Sequence, residues 1–345
     1  MNKLQSFSFK PWKPSKPPKR ILIIRLQAVG DTLFTLPFVQ LIRDQYPDAQ
    51  IDFLTRTTQI AVLENIVAID TIIEFDNSCR LYKQFLEGLR LVFKLFFKRY
   101  EVIFDLQNIP IITRPLRWLL LPKAWTEFDV YGADHVFNRN WRTIEKLNLV
   151  SNFEHHHLVL KKPDLGIHLL KENGWNGVSD LVILNPAGAF PSRHWELKNY
   201  VSFAKMWKEK YHNTQFLVLG DERILEKVNF FQTHLDNDLV NLVAKTTLSE
   251  AFALTAKAHL MISEDSGLIP IAWCHKIPTL ALIGSTHIHR SIHSDQYITA
   301  LHSDDLPCGN CMKPDCEFGE IPPCLSRYSP AMMVELAEKL LIQKP

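Results

Sequence analysis

The strand–helix alternation of this chain constrains its fold more than any other sequence feature. Short, mostly apolar runs rich in β-branched residues predict strands at residues 21–24, 51–54, 72–75 and 102–104. A second series follows at residues 181–184, 216–219, 240–243, 259–262 and 279–283. Such runs are typical of parallel strands that are covered by helices on both faces. We therefore predict an α/β fold with two doubly wound, Rossmann-like domains that face each other across a cleft.

The length of 345 residues fits two domains, at roughly 150 residues each. We place the N-terminal domain at residues 21–165 and the C-terminal domain at residues 178–328. Residues 329–345 carry apolar positions at helical spacing, which predicts a final helix able to pack back on the N-terminal domain. No apolar run approaches the ~18 residues that a membrane-spanning helix needs.

The N-terminal 20 residues differ in composition from the rest of the chain. They hold six basic residues and no acidic one, whereas the other 325 residues hold 33 basic and 37 acidic residues. The body is therefore not a general polyanion binder, and we expect no nucleic-acid partner. Prolines at positions 11, 14, 17 and 18 predict a disordered basic arm, either a solubilising tail or an arm that docks on anionic lipid. The arm lacks the apolar core of a signal peptide, so we expect a cytoplasmic protein.

A helical period runs through residues 81–99. It places Phe85, Leu89, Val92, Phe93 and Phe96 on one face, and lysines and arginines elsewhere. We interpret this segment as a core helix with a solvated basic face, or as a helix at a membrane interface.

The first motif that carries chemistry spans residues 25–32, where the first strand gives way to the first helix. Ligands of open parallel sheets sit beyond the carboxyl ends of the strands. Asp31 lies at the predicted helix start, either as an N-cap or as an ionised carboxylate that faces the cleft. An ionised carboxylate there can take the proton of an attacking hydroxyl. The segment has no GxGxxG, so an ordinary dinucleotide site is not indicated.

Two further motifs fall between strands and helices of the second series. Residues 263–268 form either a loop with a helix cap or, with small residues at a helix N-terminus, a seat for a diphosphate. Asp265 would suit sugar hydroxyls better than phosphates. Arg193 is either a surface arginine or a cation that neutralises a diphosphate leaving group.

Four cysteines lie within 17 residues near the C-terminus, at Cys308, Cys311, Cys316 and Cys324. Without an export signal they are expected to be thiols or metal ligands rather than disulfides. We interpret them either as a structural zinc site or as reduced thiols in a C-terminal loop.

Taken together, these segments resemble the family 9 glycosyltransferases, which include the ADP-heptose:lipopolysaccharide heptosyltransferases. The resemblance covers residues 20–343 and depends on order and spacing. Its most specific parts are residues 25–31 with Leu36-Pro37, residues 100–107, residues 264–268, residues 278–284 and the cysteine cluster.

The resemblance implies a GT-B architecture with the acceptor mainly on the N-terminal domain and the nucleotide sugar mainly on the C-terminal one. It implies an inverting transfer of heptose from ADP-heptose to a lipopolysaccharide core acceptor, without cofactor or catalytic metal. By resemblance, Asp31 matches the general base. The donor-binding positions are Arg193, Glu222, Asp265, Ser266, Gly267 and Leu268. Arg56 and Arg114 are candidates for contacting an anionic acceptor.

The chain departs from the family pattern at two positions. Pro270 stands where a histidine is usual, and Arg193 stands where a lysine is usual. Alternatives therefore stay open: a family 9 transferase that uses another nucleotide sugar for a different surface glycan, a degenerate non-catalytic member, or a sugar-nucleotide epimerase. A lipid-linked acceptor and the basic arm predict peripheral contact with an anionic membrane, at the cytoplasmic face of the inner membrane.

Overall fold

The computed structural model describes residues 8–75, 90–109, 112–130, 132, 134–288, 292–293 and 295–342. The chain divides into two compact units, residues 1–161 and 162–345. Residues 162–165, which the sequence analysis placed in the N-terminal domain, and residues 166–177 belong to the C-terminal unit and include helix α7 (Ile167–Glu172). Within the described residues, no helix combines the length and the apolarity needed to cross a bilayer.

The N-terminal unit is built on a six-stranded sheet with the order β1-β6-β5-β2-β3-β4. Strand β1 is antiparallel to β6, and the other neighbouring strands are parallel. The strands are β1 (Phe9–Lys10), β2 (Arg20–Ile24), β3 (Gln50–Thr55), β4 (Thr71–Glu74), β5 (Val102–Asp105) and β6 (Ala124–Glu127). The helices are α1 (Val29–Leu33), α2 (Leu36–Gln45), α3 (Thr57–Leu63), α4 (described over 90–96), α5 (Thr113–Leu120) and α6 (Val136–Glu145).

Helices α4 and α5 pack on the same face of this sheet. Leu91 and Leu95 of α4 share one apolar core with Leu116 and Leu120 of α5 and with strand residues such as Ile103. The sequence period had placed Phe93 and Phe96 on the buried face of α4, which is wrong, since both are exposed. Residues 81–89 of the expected helix lie outside the described residues.

Residues 8–20 are not the disordered arm that the prolines predict. Phe9 and Lys10 pair with Thr126 and Trp125 of strand β6, and the Trp12 amide donates to the carbonyl oxygen of Leu147 at 2.9 Å. An edge strand tolerates neighbouring prolines because only one of its sides needs hydrogen bonds. The arm is thus an edge addition to the sheet from Ser8 onward.

The C-terminal unit contains a six-stranded parallel sheet with the order β12-β11-β10-β7-β8-β9. The strands are β7 (Asp180–Asn185), β8 (Thr214–Gly220), β9 (Leu239–Val243), β10 (Ala258–Glu264), β11 (Thr279–Leu282) and β12 (Ile298–Leu301). The remaining helices are α8 (Leu197–Lys210), α9 (Leu225–Leu235), α10 (Leu248–Thr255), α11 (Leu268–Cys274), α12 (Pro323–Ser326) and α13 (Pro330–Ile342). The prediction of two α/β domains with parallel sheets is confirmed.

The C-terminal helix α13 uses its apolar face within the C-terminal unit. Met333, Val334, Ala337 and Leu340 all belong to the core formed by strands β7, β8, β10 and β11 and by helix α8. The expectation that this helix packs back on the N-terminal domain is therefore wrong, because its buried stripe is already covered by its own unit.

Candidate functional site

Each sheet contains a point where the strand order reverses. In the N-terminal unit the chain runs from β2 outward to β4 on one side, and from β5 outward to β6 on the other. In the C-terminal unit the corresponding neighbours are β7 and β10. Crevices beyond the carboxyl ends of such neighbouring strands are where open α/β sheets bind ligands. The functional residues predicted from the sequence follow these strand ends in both units.

Asp31 lies in the first turn of helix α1, which begins beyond the end of strand β2. Ala28, not Asp31, is the N-cap residue, so the capping interpretation of Asp31 is wrong. Its Oδ2 accepts a hydrogen bond from Nη2 of Arg25 at 2.6 Å, and its side chain is 42% exposed. Within the described residues, this ion pair is the side-chain contact found for Asp31. The carboxylate stays partly exposed to solvent.

Arg25 holds the Asp31 carboxylate in place. Its side chain is buried, Nη1 donates to the carbonyl oxygen of Leu106, and the guanidinium lies 4.9 Å from the ring centre of Phe128. Burial lowers the pKa of Arg25, and the charge of Asp31 opposes that shift. A buried cation held by a carbonyl on the neighbouring strand end fixes the direction of the Asp31 carboxylate.

The loop after strand β5 is tied by hydrogen bonds to the loop after strand β2. Gln107 Oε1 accepts from the backbone amides of Leu26 and Gln27, both at 3.0 Å. Asp105 Oδ1 in turn accepts from the amide of Asn108 at 2.7 Å, which stabilises the left-handed backbone of Asn108. Burial raises the pKa of Asp105. The two strand-end loops are therefore tied to each other by side chains.

The two arginines predicted for the acceptor differ in their surroundings. Arg56 donates from Nη1 and Nη2 to the amide oxygen of Gln27, at 3.0 and 3.1 Å, when that amide is oriented with its oxygen toward Arg56. Arg56 therefore lies beside the loop that precedes Asp31. Arg114 is 45% exposed, and its Nε is 3.5 Å from Oε1 of Glu127, which also pairs with buried Arg117.

Sequence reasoning missed a third arginine, Arg139 on helix α6. Its guanidinium lies 4.4 Å from the Phe128 ring centre, and its Nε donates to the carbonyl oxygen of Asp129 at 2.6 Å. Burial lowers the pKa of Arg139, whereas the nearby charges of Asp129 and Asp31 oppose the shift. Two guanidinium groups, of Arg25 and Arg139, therefore lie on one aromatic ring near Asp31. Nothing in the local sequence of α6 signals this, because the contact depends on the fold.

In the C-terminal unit, Asn185 and Ser266 join the ends of strands β7 and β10. Asn185 Nδ2 donates to Ser263 Oγ at 2.8 Å and to Ser266 Oγ at 2.5 Å. Ser266 Oγ also accepts from the Leu268 amide at 3.3 Å, at the start of helix α11. The loop and cap interpretation of this segment is thus partly right. Gly267 is the N-cap residue; it is exposed, and a Cβ added there meets nothing within 4 Å.

Arg193 and Asp265 form an ion pair at the same strand ends. Nη1 of Arg193 lies 3.0 Å from Oδ2 of Asp265, and Thr286 Oγ1 donates to that oxygen at 2.7 Å. Both side chains are mostly buried, at 14% and 17% exposure, so Arg193 is not an ordinary surface arginine. Its cationic group is held in place and points toward the loop that contains Ser266.

A buried glutamate that sequence reasoning missed, Glu264, organises this half of the site. Its Oε2 accepts from the Gly188 amide and its Oε1 from the Trp195 amide, both at 2.8 Å. Lys227 Nζ lies 3.8 Å away. Burial raises the pKa of Glu264 to about 7, although Lys227 lowers it. A Cβ at Gly188 would lie 2.8 Å from Glu264 Oε2, so this position requires glycine. Glu264 therefore fixes the loop that carries Arg193.

The structure also places the two remaining sequence-predicted positions, Glu222 and Pro270. Glu222 is exposed in the turn after strand β8, at the same carboxyl edge of the sheet. Pro270 occupies the first turn of α11, where a backbone N–H has no partner within the helix, so the helix starts normally despite the missing histidine.

The four C-terminal cysteines line one cavity of about 270 Å³ but do not form a metal site. Among the described residues, no group of three or more His, Cys, Asp and Glu side chains is arranged to hold a metal ion. Burial raises the pKa of Cys324 to about 11, and the other three thiols add to the shift. The geometry thus favours reduced thiols over the structural zinc site.

Comparison with known proteins agrees with this geometry. Residues 151–321 match Glycosyltransferase family 9 (heptosyltransferase). The lipopolysaccharide core heptosyltransferase OpsX of Haemophilus influenzae is 23% identical over 290 residues, which cover 77% of this chain and 79% of that protein.

Solved structures match over nearly the whole chain. A family 9 glycosyl transferase from Veillonella parvula superposes with a TM-score of 0.75 at 19% identity, over 94% of this chain and 98% of that one. The ADP-heptose lipopolysaccharide heptosyltransferase II of Escherichia coli gives a TM-score of 0.66 at 17% identity, over 94% and 99%.

The two α/β units, each with a crevice at its strand ends, have a GT-B type fold. The prediction of a GT-B fold is confirmed. The chain is a glycosyltransferase that is similar to the heptosyltransferases of family 9.

Proposed function

We propose that this enzyme transfers a heptose from ADP-heptose to a lipid-linked core sugar of lipopolysaccharide, by an inverting displacement that needs no metal. The relatives that carry heptosyltransferase names support the sugar and the acceptor class. The observation that carries the catalytic part is the half-exposed Asp31 carboxylate, held at one oxygen by buried Arg25.

In the proposed reaction, Asp31 takes the proton of an acceptor hydroxyl as that oxygen attacks the anomeric carbon of the donor. The new glycosidic C–O bond forms while the bond from the anomeric carbon to the diphosphate breaks. ADP leaves with the electron pair of that bond. Arg193 and the N-terminus of helix α11 at exposed Gly267 stabilise the charge that develops on the diphosphate.

Donor binding is assigned to the C-terminal unit. Asp265, Ser266, Gly267 and Leu268 form the donor loop, and Glu222 contacts the nucleoside. Arg193 must exchange part of its contact with Asp265 for the donor phosphates, because a single guanidinium serves both. Arg56 and Arg114 are proposed to contact an anionic acceptor, and Arg139 joins them because its guanidinium lies near the Asp31 charge.

The test is the turnover of Asp31→Ala and Asp31→Asn with defined acceptors. We expect turnover to fall by about 10²–10⁴, with donor affinity unchanged, since a positioned general base contributes this much. Asp44→Ala is the matched control, because Asp44 lies in the same unit with a side chain 41% exposed. Near-wild-type turnover of Asp31→Ala would remove Asp31 from the role of base.

A second candidate is transfer of another sugar from a different nucleotide. Arg193 in place of lysine and Pro270 in place of histidine favour it, since both changes lie at the donor loop. Transfer rates with a panel of nucleotide sugars separate the two, and conversion of donor without acceptor would instead indicate an epimerase. We further propose that the enzyme acts peripherally at the cytoplasmic face of the inner membrane, where a lipid-linked acceptor would be reached.

A further inference from the structure

Helices α4 and α5 turn their outer sides away from the core that they share. Leu91, Leu95, Leu116 and Leu120 point to the sheet, one helical turn apart in each helix. The opposite sides of both helices therefore face outward on the same face of the N-terminal unit.

These outer sides are apolar and aromatic. The side chains concerned are large and half or more exposed: Phe93, Phe96, Phe97, Trp118, Leu119 and Leu121. Phe97 is 71% exposed and Trp118 is 70% exposed. The phenylalanine rings contact one another, with ring centres 6.2 Å apart for Phe93 and Phe97, rather than the core. Single exposed apolar residues are ordinary, but six on two adjacent short segments indicate an interaction surface.

The same segments are strongly basic. Residues 90–99 and 112–123 contain no acidic residue and seven basic ones: Arg90, Lys94, Lys98, Arg99, Arg114, Arg117 and Lys123. Four of the seven are paired with carboxylates of other segments: Arg114 and Arg117 with Glu127, Lys98 with Asp52 at 2.6 Å and Lys123 with Glu101 at 2.5 Å. Lys94 and Arg99 are exposed among the phenylalanines. We call the exposed residues of 90–99 and 114–123 the α4–α5 surface.

We propose that the α4–α5 surface docks this enzyme on an anionic phospholipid bilayer. Phenylalanine, tryptophan and leucine side chains enter the boundary between headgroups and acyl chains, while lysine and arginine stay with the headgroup phosphates. The absence of acidic residues matches a partner with a uniform negative charge. A second copy of the chain would present the same positive surface and be repelled. Charge complementarity therefore selects the lipid.

The position of this surface agrees with the proposed function, on which the following point rests. Helix α5 begins directly after the loop of strand β5 that holds Gln107 and Asn108, at the carboxyl edge of the sheet near Asp31. A bilayer against α5 would bring a lipid-anchored acceptor to the edge that carries the Asp31 carboxylate. Binding to the bilayer itself requires no acceptor and no catalysis.

The experiment measures sedimentation of the full-length protein with phosphatidylcholine vesicles, with and without 30 mol% phosphatidylglycerol, in the absence of lipopolysaccharide. We expect binding only to the anionic vesicles. It should weaken strongly between 50 and 500 mM salt, because charges at the surface are then screened. The double variant Phe97→Ser/Trp118→Ser should bind at least about tenfold more weakly, and Lys94→Gln/Arg99→Gln should weaken binding by a similar factor.

Phe318→Ser is the matched control, because Phe318 is 68% exposed but lies in the C-terminal unit. This variant should bind anionic vesicles as wild type does. Transfer to a water-soluble acceptor should be the same in all these variants, which separates this proposal from the catalytic one. The proposal is overturned if the wild-type protein does not bind anionic vesicles or if the variants bind like wild type. A wild-type dimer that the double variant converts to a monomer would also overturn it and identify a protein interface.

Discussion

Replacing Glu264 by glutamine tests whether one buried carboxylate fixes the loop that carries Arg193. At pH 5 the carboxyl is protonated, since its pKa is about 7, and each oxygen accepts one backbone amide at 2.8 Å. Glutamine has the same shape but only one acceptor oxygen. Its amide group would face either the Gly188 or the Trp195 N–H, donor against donor, so that a buried N–H loses its partner.

The size of the effect follows from these contacts. An unpaired buried N–H costs about 1–3 kcal/mol. At pH 5 the neutral carboxyl carries no charge for Lys227 to attract, and that amine keeps its bond to the Pro186 carbonyl oxygen at 2.7 Å, so the unpaired N–H is the main cost. This cost should lower the melting temperature of the C-terminal unit by roughly 2–12 °C, given 2–4 °C per kcal/mol for a unit of this size.

The assay is thermal unfolding by circular dichroism at pH 5, together with donor binding by calorimetry. Glu209→Gln, an exposed glutamate on helix α8, is the control and should melt within about 1–2 °C of wild type. Donor affinity should fall in Glu264→Gln because Arg193 is less well held. A melting temperature within 1 °C of wild type for Glu264→Gln would refute the idea that these two hydrogen bonds fix the loop.

Two further predictions concern stability. The pKa of Glu264 rises from 4.5 to about 7 on folding, so the folded state binds the extra proton, and its contribution of about 3 kcal/mol is present below pH 4.5 and lost as pH rises through 7. Urea midpoints of wild type should fall more than those of Glu264→Gln over this range, and parallel curves would contradict it. Deleting residues 1–18 removes strand β1 and the hydrogen bond from Trp12 to Leu147, which should destabilise the N-terminal unit by about 2–3 kcal/mol. An unchanged melting curve would show that the segment contributes nothing to folding.

Local patterns were sufficient for the parts of the fold that depend on buried strands and helix starts. The runs at residues 21–24 and 181–184 are central strands of the two sheets, because apolar stretches of this kind need cover on both faces. Thr247 and Glu250 form the capping box that their spacing predicts. Arg193 lies beside Asp265. This agrees with the sequence, in which the two motifs follow strands β7 and β10, the neighbours at which the strand order reverses.

The remaining features depend on contacts between distant parts of the chain. Strand β1 forms because β6 offers a free edge, which overrides the local preference of a proline-rich segment. The local sequence around Glu264 indicates only the end of a strand. Its role depends on the backbone amides of Gly188 and Trp195, more than 60 residues earlier in the chain, which donate to its carboxyl oxygens. The catalytic and binding roles of the site residues stay predictions, since they require a bound substrate to be tested.

Strand β1 also has a consequence for how the protein can be handled. It is two residues long and closes the outer border of the N-terminal sheet by pairing with Trp125 and Thr126. An uncovered border presents a row of unsatisfied amides and carbonyls that recruits a strand from a neighbouring molecule. Truncation or a bulky fusion close to Phe9 would thus expose a template for aggregation, whereas a tag at the far end of the chain leaves this border closed.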